Sequence, residues 1–167
     1  CGYKLQELNG SWNYDDFKNK CWYGFVPGEH PHDSDSGHIF IRKVRDVLRI
    51  NEDRELKFQE ILQKLETATN PQNVILVDDF VGSGSQCCNA WRGLMLPGGS
   101  PLAVLNMRVP HRIFYAPLVM NEQGYRQIKT NCSGLNLETI HVLGDEYNLF
   151  SPKCLCWKND PDLYTRG

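Results

Sequence analysis

Hydrophobic and polar positions along the chain fall into short blocks of two periods, and the blocks alternate. Residues 1–21 mix polar and aromatic positions, with Leu5 and Leu8 followed by Trp12, Tyr14 and Phe17, and predict a helical lead-in. Cys21-Trp22-Tyr23-Gly24-Phe25-Val26 is β-prone and ends at Pro27-Gly28, as a short strand does. A polar loop over residues 28–37 leads to Ile39, Ile41, Val44, Val47 and Leu48, whose recurrence predicts a helix. A second helix is expected from Asp53 to Glu66, with Leu56, Ile61, Leu62 and Leu65 as its stripe and Thr69-Asn70-Pro71 as its stop.

Val74-Ile75-Leu76-Val77 has no alternation, so it predicts a strand covered on both faces, as in a parallel sheet between helices. Residues 85–95 return to helical spacing, with Cys88, Trp91, Leu94 and Met95 on one side, until Pro97-Gly98-Gly99-Ser100-Pro101 breaks the chain. Ile113–Met120 is a further strand, in which Pro117 lacks an N–H and so argues for a bulge or an edge. A helix over Glu122–Asn131 and a strand over Glu138–Leu143 follow. Strands alternating with helices require right-handed crossovers. They predict a three-layer, Rossmann-like α/β fold, a parallel sheet flanked by helices. The expected division is a lead-in over 1–21, the α/β domain over 22–150, and a C-terminal extension or the start of a further segment over 151–167. No internal repeat is visible.

Composition narrows the class. A chain of 167 residues buries roughly 70% of its unfolded surface, so neither a disulfide nor a metal is required for folding. With 41% apolar and 23% charged residues it reads as a soluble globular domain. A net charge of −2 gives no field for bulk attraction to nucleic acid or anionic membrane. Only Arg42-Lys43-Val44-Arg45 forms a local basic patch. No apolar run approaches the ~20 residues of a membrane span, and no secretory leader is read. The first residue is Cys rather than Met, so an excerpt of a longer polypeptide is expected. Seven cysteines include adjacent Cys87-Cys88 and the pair Cys154-Leu155-Cys156, neither with Cys-x-x-Cys spacing. Free or structural thiols in a reducing, cytoplasmic compartment are expected, with a metal or redox role for Cys154 and Cys156 as the lesser alternative.

Chemistry concentrates after the most hydrophobic strand. In open α/β sheets ligands gather at the carboxyl ends of strands, where Asp78 and Asp79 stand. Adjacent carboxylates repel, and ribose hydroxyls or a divalent cation would compensate them. Gly82-Ser83-Gly84-Ser85-Gln86 then opens a helix. Its glycines let backbone N–H groups close on an anion, and the helix dipole adds to that attraction. An ordinary strand-turn-helix with solvated Asp and Ser caps is the plainer alternative. A P-loop would need Lys after Gly84, a dinucleotide fingerprint would need Gly at position 87, which is Cys87, and a receiver domain would need a later Asp before Gly144.

The run Val74-Ile75-Leu76-Val77-Asp78-Asp79-Phe80-Val81-Gly82-Ser83-Gly84-Ser85 resembles the phosphoribosyl-pyrophosphate (PRPP) motif of type I phosphoribosyltransferases. The resemblance implies that Asp78 and Asp79 hold the ribose 2′ and 3′ hydroxyls, directly or through Mg2+, and that Gly82–Gln86 hold the 5′-phosphate. Phe80, Gly82 and Gln86 depart from the usual residues. The family's pyrophosphate loop has no clear counterpart; Asp35-Ser36-Gly37 is the best candidate, and no separate catalytic loop is identified. The motif, the Ser36-Gly37 turn, Trp91 and a Glu-x-Gly step after Val119 are most similar to the divergent phosphoribosyltransferase-like domain of bacterial conflict systems, including anti-phage defence. That branch implies a regulatory or effector module that binds PRPP or a nucleotide and reports to a protein partner. Active transfer to an unknown acceptor is the alternative.

Other residues carry plainer expectations. His30, His32, Asp33 and Asp35 are read as a solvated loop rather than a metal site. His111-Arg112 is read as a surface pair, and Arg108 and Arg112 become pyrophosphate partners only if their loop folds over the site. Trp91 is expected in the core, and Glu122 as a cap or a contact for the ligand base.

Overall fold

The computed structural model describes residues 13–28, 36–93, 100–148 and 150–157. Five strands form one parallel sheet. β1 (Cys21–Phe25) pairs with β2 (Asn73–Val81), which pairs with β3 (Arg112–Asn121). The far side of β3 is taken by two short strands in succession, β4 (Asn136–Leu137) and β5 (His141–Leu143).

Both faces of the sheet are covered, as continuous apolarity in β2 requires. On one face Cys21, Tyr23, Ile75, Val77 and Phe114 pack with Phe17 of α1 (Tyr14–Lys20) and with Phe40, Ile41 and Val44 of α2 (Ser36–Leu48). On the other, Val74, Leu76, Ile113 and Tyr115 lie under four helices: α3 (Phe58–Thr67), α4 (Ser85–Arg92), α5 (Leu102–Arg108) and α6 (Glu122–Asn131). Fully buried side chains such as Ile61 and Leu105 each contribute about 1.5–3 kcal/mol relative to exposure. The three-layer parallel α/β architecture expected from the sequence is therefore present.

Several elements differ in detail. Ile39 and Val47, expected on the apolar side of α2, are exposed; at 100° per residue the sheet-facing stripe is Ile41, Val44 and their neighbour Phe40. α3 begins at Phe58 rather than Asp53. Glu52–Arg54 form a 3-10 turn, and Glu55 then bridges to Tyr23 while Leu56 N–H donates to the Tyr23 carbonyl. The edge of β1 thus captures backbone that the helix would otherwise use. α5 had no counterpart in the sequence expectations; of the strand expected over Glu138–Leu143 only His141–Leu143 forms, as β5, and β4 lies just before that range. α4 ends at Arg92, capped by Gly93; Leu94 and Met95 fall outside the described residues.

Pro117 marks an irregularity, though β3 is not an edge strand. Ile113, Tyr115 and Met120 join one core layer while Phe114 and Ala116 join the other, so the two-residue alternation slips beside Pro117. β2 slips at the same level: Val74, Leu76 and Val81 share one layer, Ile75 and Val77 the other. Asp78 lies opposite Pro117 across the pair. The slip in both strands therefore falls where the acidic pair stands.

Candidate functional site

β2 runs through the acidic pair to Val81, so Asp78 and Asp79 are strand residues held by the ladder to β3 rather than loop residues. Asp78 is half-buried. Its Oδ2 accepts from the Tyr115 hydroxyl at 2.7 Å and its Oδ1 from the Asp79 N–H at 3.0 Å. Burial pushes the Asp78 carboxyl up to about 6. The Tyr115 hydrogen bond opposes that shift, and the neighbouring Asp79 carboxylate adds to it. Tyr115, buried and facing two carboxylates, is held well above the usual phenol range and stays a donor. Tyr115 is the site residue that sequence reasoning missed; its only signal was a hydroxyl on the strand next to the motif.

Asp79 Oδ1 accepts from the Phe80 N–H at 2.9 Å and from the Ser36 hydroxyl at 3.2 Å. That second contact joins residues 43 apart and brings the start of α2 to the acidic pair. Gly37 follows with no room for a side chain, since a Cβ there would stand 2.5 Å from the Phe25 ring. Ser36 and Gly37, expected to form a second anion loop, do share a hollow with Asp78 and Gln86. It holds about 200 Å³, with Phe25 and Phe80 among its walls. Phe80, the bulky departure from the motif, is 53% exposed at this rim.

The Gly82–Gln86 turn leads directly into α4. Gly84 caps the helix with φ +77°, a conformation that glycine adopts without the Cβ clash other residues meet. The turn rests on α6: a Cβ on Gly84 would lie 2.9 Å from the Gly124 carbonyl oxygen, and one on Gly124 would run into the Gly82 carbonyl. The Ser83 hydroxyl donates to Ser85 Oγ at 3.0 Å and accepts from the Ser85 N–H at 3.3 Å, which draws the turn tight. Apart from the Ser85 N–H taken by Ser83, the first N–H groups of α4 have no carbonyl four residues back within the helix. Gln86 differs from its expected role in one respect. Its side-chain amide donates to the Val26 carbonyl at 2.7 Å, tying the turn to the end of β1, and only its backbone N–H is left for an anion.

Other expected residues lie elsewhere. Arg112 pairs in register with Asn73, at the amino end of β2, and Arg108 precedes it in α5. Six residues of strand, roughly 20 Å, separate that end from Asp79, so neither arginine reaches the acidic pair. His111 is buried at the same far end, where Nδ1 accepts from the Gln72 N–H, so the expected surface pair is not formed. Glu122 pairs with Arg126, and the cap of α6 is Asn121, whose side chain accepts from the Gln123 N–H. Trp91 is buried in the core, as expected. His30, His32, Asp33 and Asp35 fall outside the described residues. Among the described residues no helix is long and apolar enough to cross a membrane, and no group of three or more His, Cys, Asp or Glu side chains could hold a metal ion. A larger hollow of about 600 Å³ between α2 and the Glu55–Lys57 run contains none of the expected site residues.

Comparison with known proteins agrees with this geometry at the level of family. None of the curated proteins compared with the chain matches it. Among solved structures, that of TT1426 from Thermus thermophilus aligns at 22% identity with a TM-score of 0.32. The alignment covers 68% of this chain and 45% of that one, so the chain spans under half the length of that protein. The family model PRTase-CE matches residues 3–166, nearly the whole sequence. The chain belongs to the PRTase-CE family, a phosphoribosyltransferase-like family.

Proposed function

We propose that the chain binds PRPP or a phosphoribosyl nucleotide, with Asp78 and Asp79 accepting from the ribose hydroxyls and the Gly82–Gln86 turn holding the 5′-phosphate. One observation carries the proposal. The acidic pair is locked in β2 while the turn after it is pressed onto Gly124 with its amides at the head of α4, so acceptors for the sugar and donors for the phosphate are fixed on one unit. Ser36 and Gly37 at the start of α2 would take the pyrophosphate end, a reading supported by the hollow they share with Asp78.

Magnesium fits this donor set only in a limited way. Asp79 meets Ser36 and the Phe80 N–H through Oδ1, and Asp78 is committed to Tyr115 and to backbone. Two carboxylates do not make a protein cage, but Mg2+ is commonly held by one or two carboxylates together with substrate phosphates. Mg2+ bound with PRPP would neutralise the pyrophosphate, and Asp79 is the residue to meet it.

The role best supported is a cytoplasmic regulatory or effector module, in the setting of a bacterial defence system that its sequence motif resembles. Isothermal titration with ribose 5-phosphate, PRPP and AMP, each with and without Mg2+, tests the binding. Heat from PRPP that Asp79→Asn removes is the expected result; a folded protein silent to all three ligands overturns it.

Active transfer is the second reading. A hollow of about 310 Å³ at the carboxyl ends of β3 and β5, lined by Asn121, Glu122, Gln123 and Asp145, offers hydrogen-bonding groups to an acceptor. Pyrophosphate release from PRPP that fails in Asp79→Asn would support turnover, and a release rate unchanged by that substitution would end it.

A further inference from the structure

Three cysteines whose thiols the proposed function does not use converge behind the phosphate turn. Cys87 and Cys88 are the third and fourth residues of α4, and Cys132 caps α6. All three are buried. The Cys132 and Cys88 sulfurs lie 3.6 Å apart across the packed α4–α6 pair. A disulfide bond of about 2.05 Å needs a further approach of roughly 1.5 Å, within the reach of two side-chain rotations and a small helix shift. Arg92, one turn along α4, donates to the Asn131 side chain and so brings a positive charge beside Cys132. Cys132 also gives up its proton most readily of the three. Hydrogen bonding by Cys87 draws it below the usual thiol range against the opposing effect of burial, with help from Cys88 and the Arg92 charge.

We propose that Cys88 and Cys132 are an oxidative modification site, closing to a reversible disulfide with hydrogen peroxide and stapling α4 to α6 beneath the phosphate turn. The Cys132 thiolate attacks one peroxide oxygen; the O–O bond breaks, and the departing hydroxide takes up a proton to leave as water. The sulfenic acid formed at Cys132 is attacked by the Cys88 sulfur. Its S–O bond breaks, the S–S bond forms, and hydroxide leaves as water with the Cys88 proton. Two thiols and one peroxide thus give one disulfide and two waters. Peroxide is scarcely larger than water, and Cys132 sits at a helix end, where local opening is easiest. The staple joins the helix that begins at the turn to the helix whose Gly124 supports it. This inference does not depend on which ligand the turn holds.

The test is peroxide treatment of the whole protein, followed by unfolding, alkylation of remaining thiols and peptide mapping without reductant. The expected result is a Cys88–Cys132 linked peptide, two hydrogens lighter than the separate peptides and split by dithiothreitol. The oxidised protein should melt about 5–10 °C higher, from the usual stabilisation by a cross-link. Cys87→Ser should keep the linkage and Cys88→Ser should lose it. Cys88 and Cys132 both remaining alkylatable when exposed Cys156 is fully oxidised overturns the proposal, as does linkage of either one only to another cysteine. Mapping of the unsubstituted protein decides the matter even if a variant fails to fold.

Discussion

Gly124 sits under the carbonyl of Gly82 so closely that the first turn of α6 and the turn after β2 have no room for a methyl group between them. Glycine in a helix costs about 1 kcal/mol relative to alanine, so its presence in this first turn reflects close approach of backbone. Gly124→Ala should therefore destabilise rather than stabilise the protein, by about 1–3 kcal/mol from overpacking, and should weaken ribose 5-phosphate binding with it. Gly82→Ala is the contrast. The nearest atom to its Cβ would be the Phe80 ring at 3.8 Å, in ordinary contact, so the melting temperature should stay within a degree or two. Thermal melts of the pair check both; equal losses would refute the bracing.

Asp78 carries a stability cost that pH reveals. Its carboxyl is raised to about 6 in the folded chain, so the fold holds the proton more tightly than the unfolded chain does. Stability from this group is fully present below the unfolded value near 4 and is lost as pH rises through about 6. Asp78→Asn keeps an oxygen for Tyr115 and removes the buried charge. It should raise stability at pH 7 by about 1–3 kcal/mol, with the gain vanishing by pH 4, while abolishing ribose binding. Denaturant melts across that range decide it. A gain equal at pH 4 and pH 7 would exclude ionisation as the cause. Such a trade of stability for a charged site is common where a carboxylate is kept for function.

Tyr115→Phe removes the hydroxyl that holds Asp78 Oδ2. The carboxyl then loses its main opposition to burial and should titrate higher still, which carbon-detected NMR of labelled aspartate reads directly. At pH 7 the loss of a buried partner to a charged group should cost about 1–3 kcal/mol. In the Asp78→Asn background the same substitution should cost less, because the acceptor is no longer a charge. Additive losses in the double variant would argue against the contact.

Ser36→Ala tests the link between α2 and the acidic pair. The contact is exposed, so stability should change by less than about 0.5 kcal/mol. If the start of α2 takes the pyrophosphate end, the variant should lose affinity for PRPP more than for ribose 5-phosphate. Titration of both ligands checks this, and equal losses would move pyrophosphate away from Ser36.

Much of the architecture was legible because single elements carried strong local signals. β2 announced itself by four apolar residues in succession, and α6 has the bounds read from its pattern, starting straight after a strand. The candidate turn was legible for the same reason, since its thirteen residues are contiguous. What escaped was set by distant neighbours. Tyr115 meets Asp78 only because β3 lies beside β2, a pairing of residues 37 apart. Ser36 reaches Asp79 through the fold of an entire crossover. Helix α5 was missed because it has only seven residues and two buried anchors, Leu102 and Leu105, between a proline-glycine break and a strand. The start of α3 was misjudged because the open edge of β1 took the Glu55–Leu56 backbone, an outcome that local helix preference does not encode.

The divided far margin of the sheet has a consequence for the protein in crowded solution. β4 and β5 present two and three residues respectively, parted by Glu138-Thr139-Ile140. At the opposite margin the Glu55 bridge occupies part of β1. A foreign strand seeking to extend the ladder therefore meets no long uninterrupted run of free N–H and C=O groups among the described residues. Ile140 and Val142 are exposed there and would otherwise invite such stacking. The break between the two short strands acts as a guard against strand-to-strand aggregation.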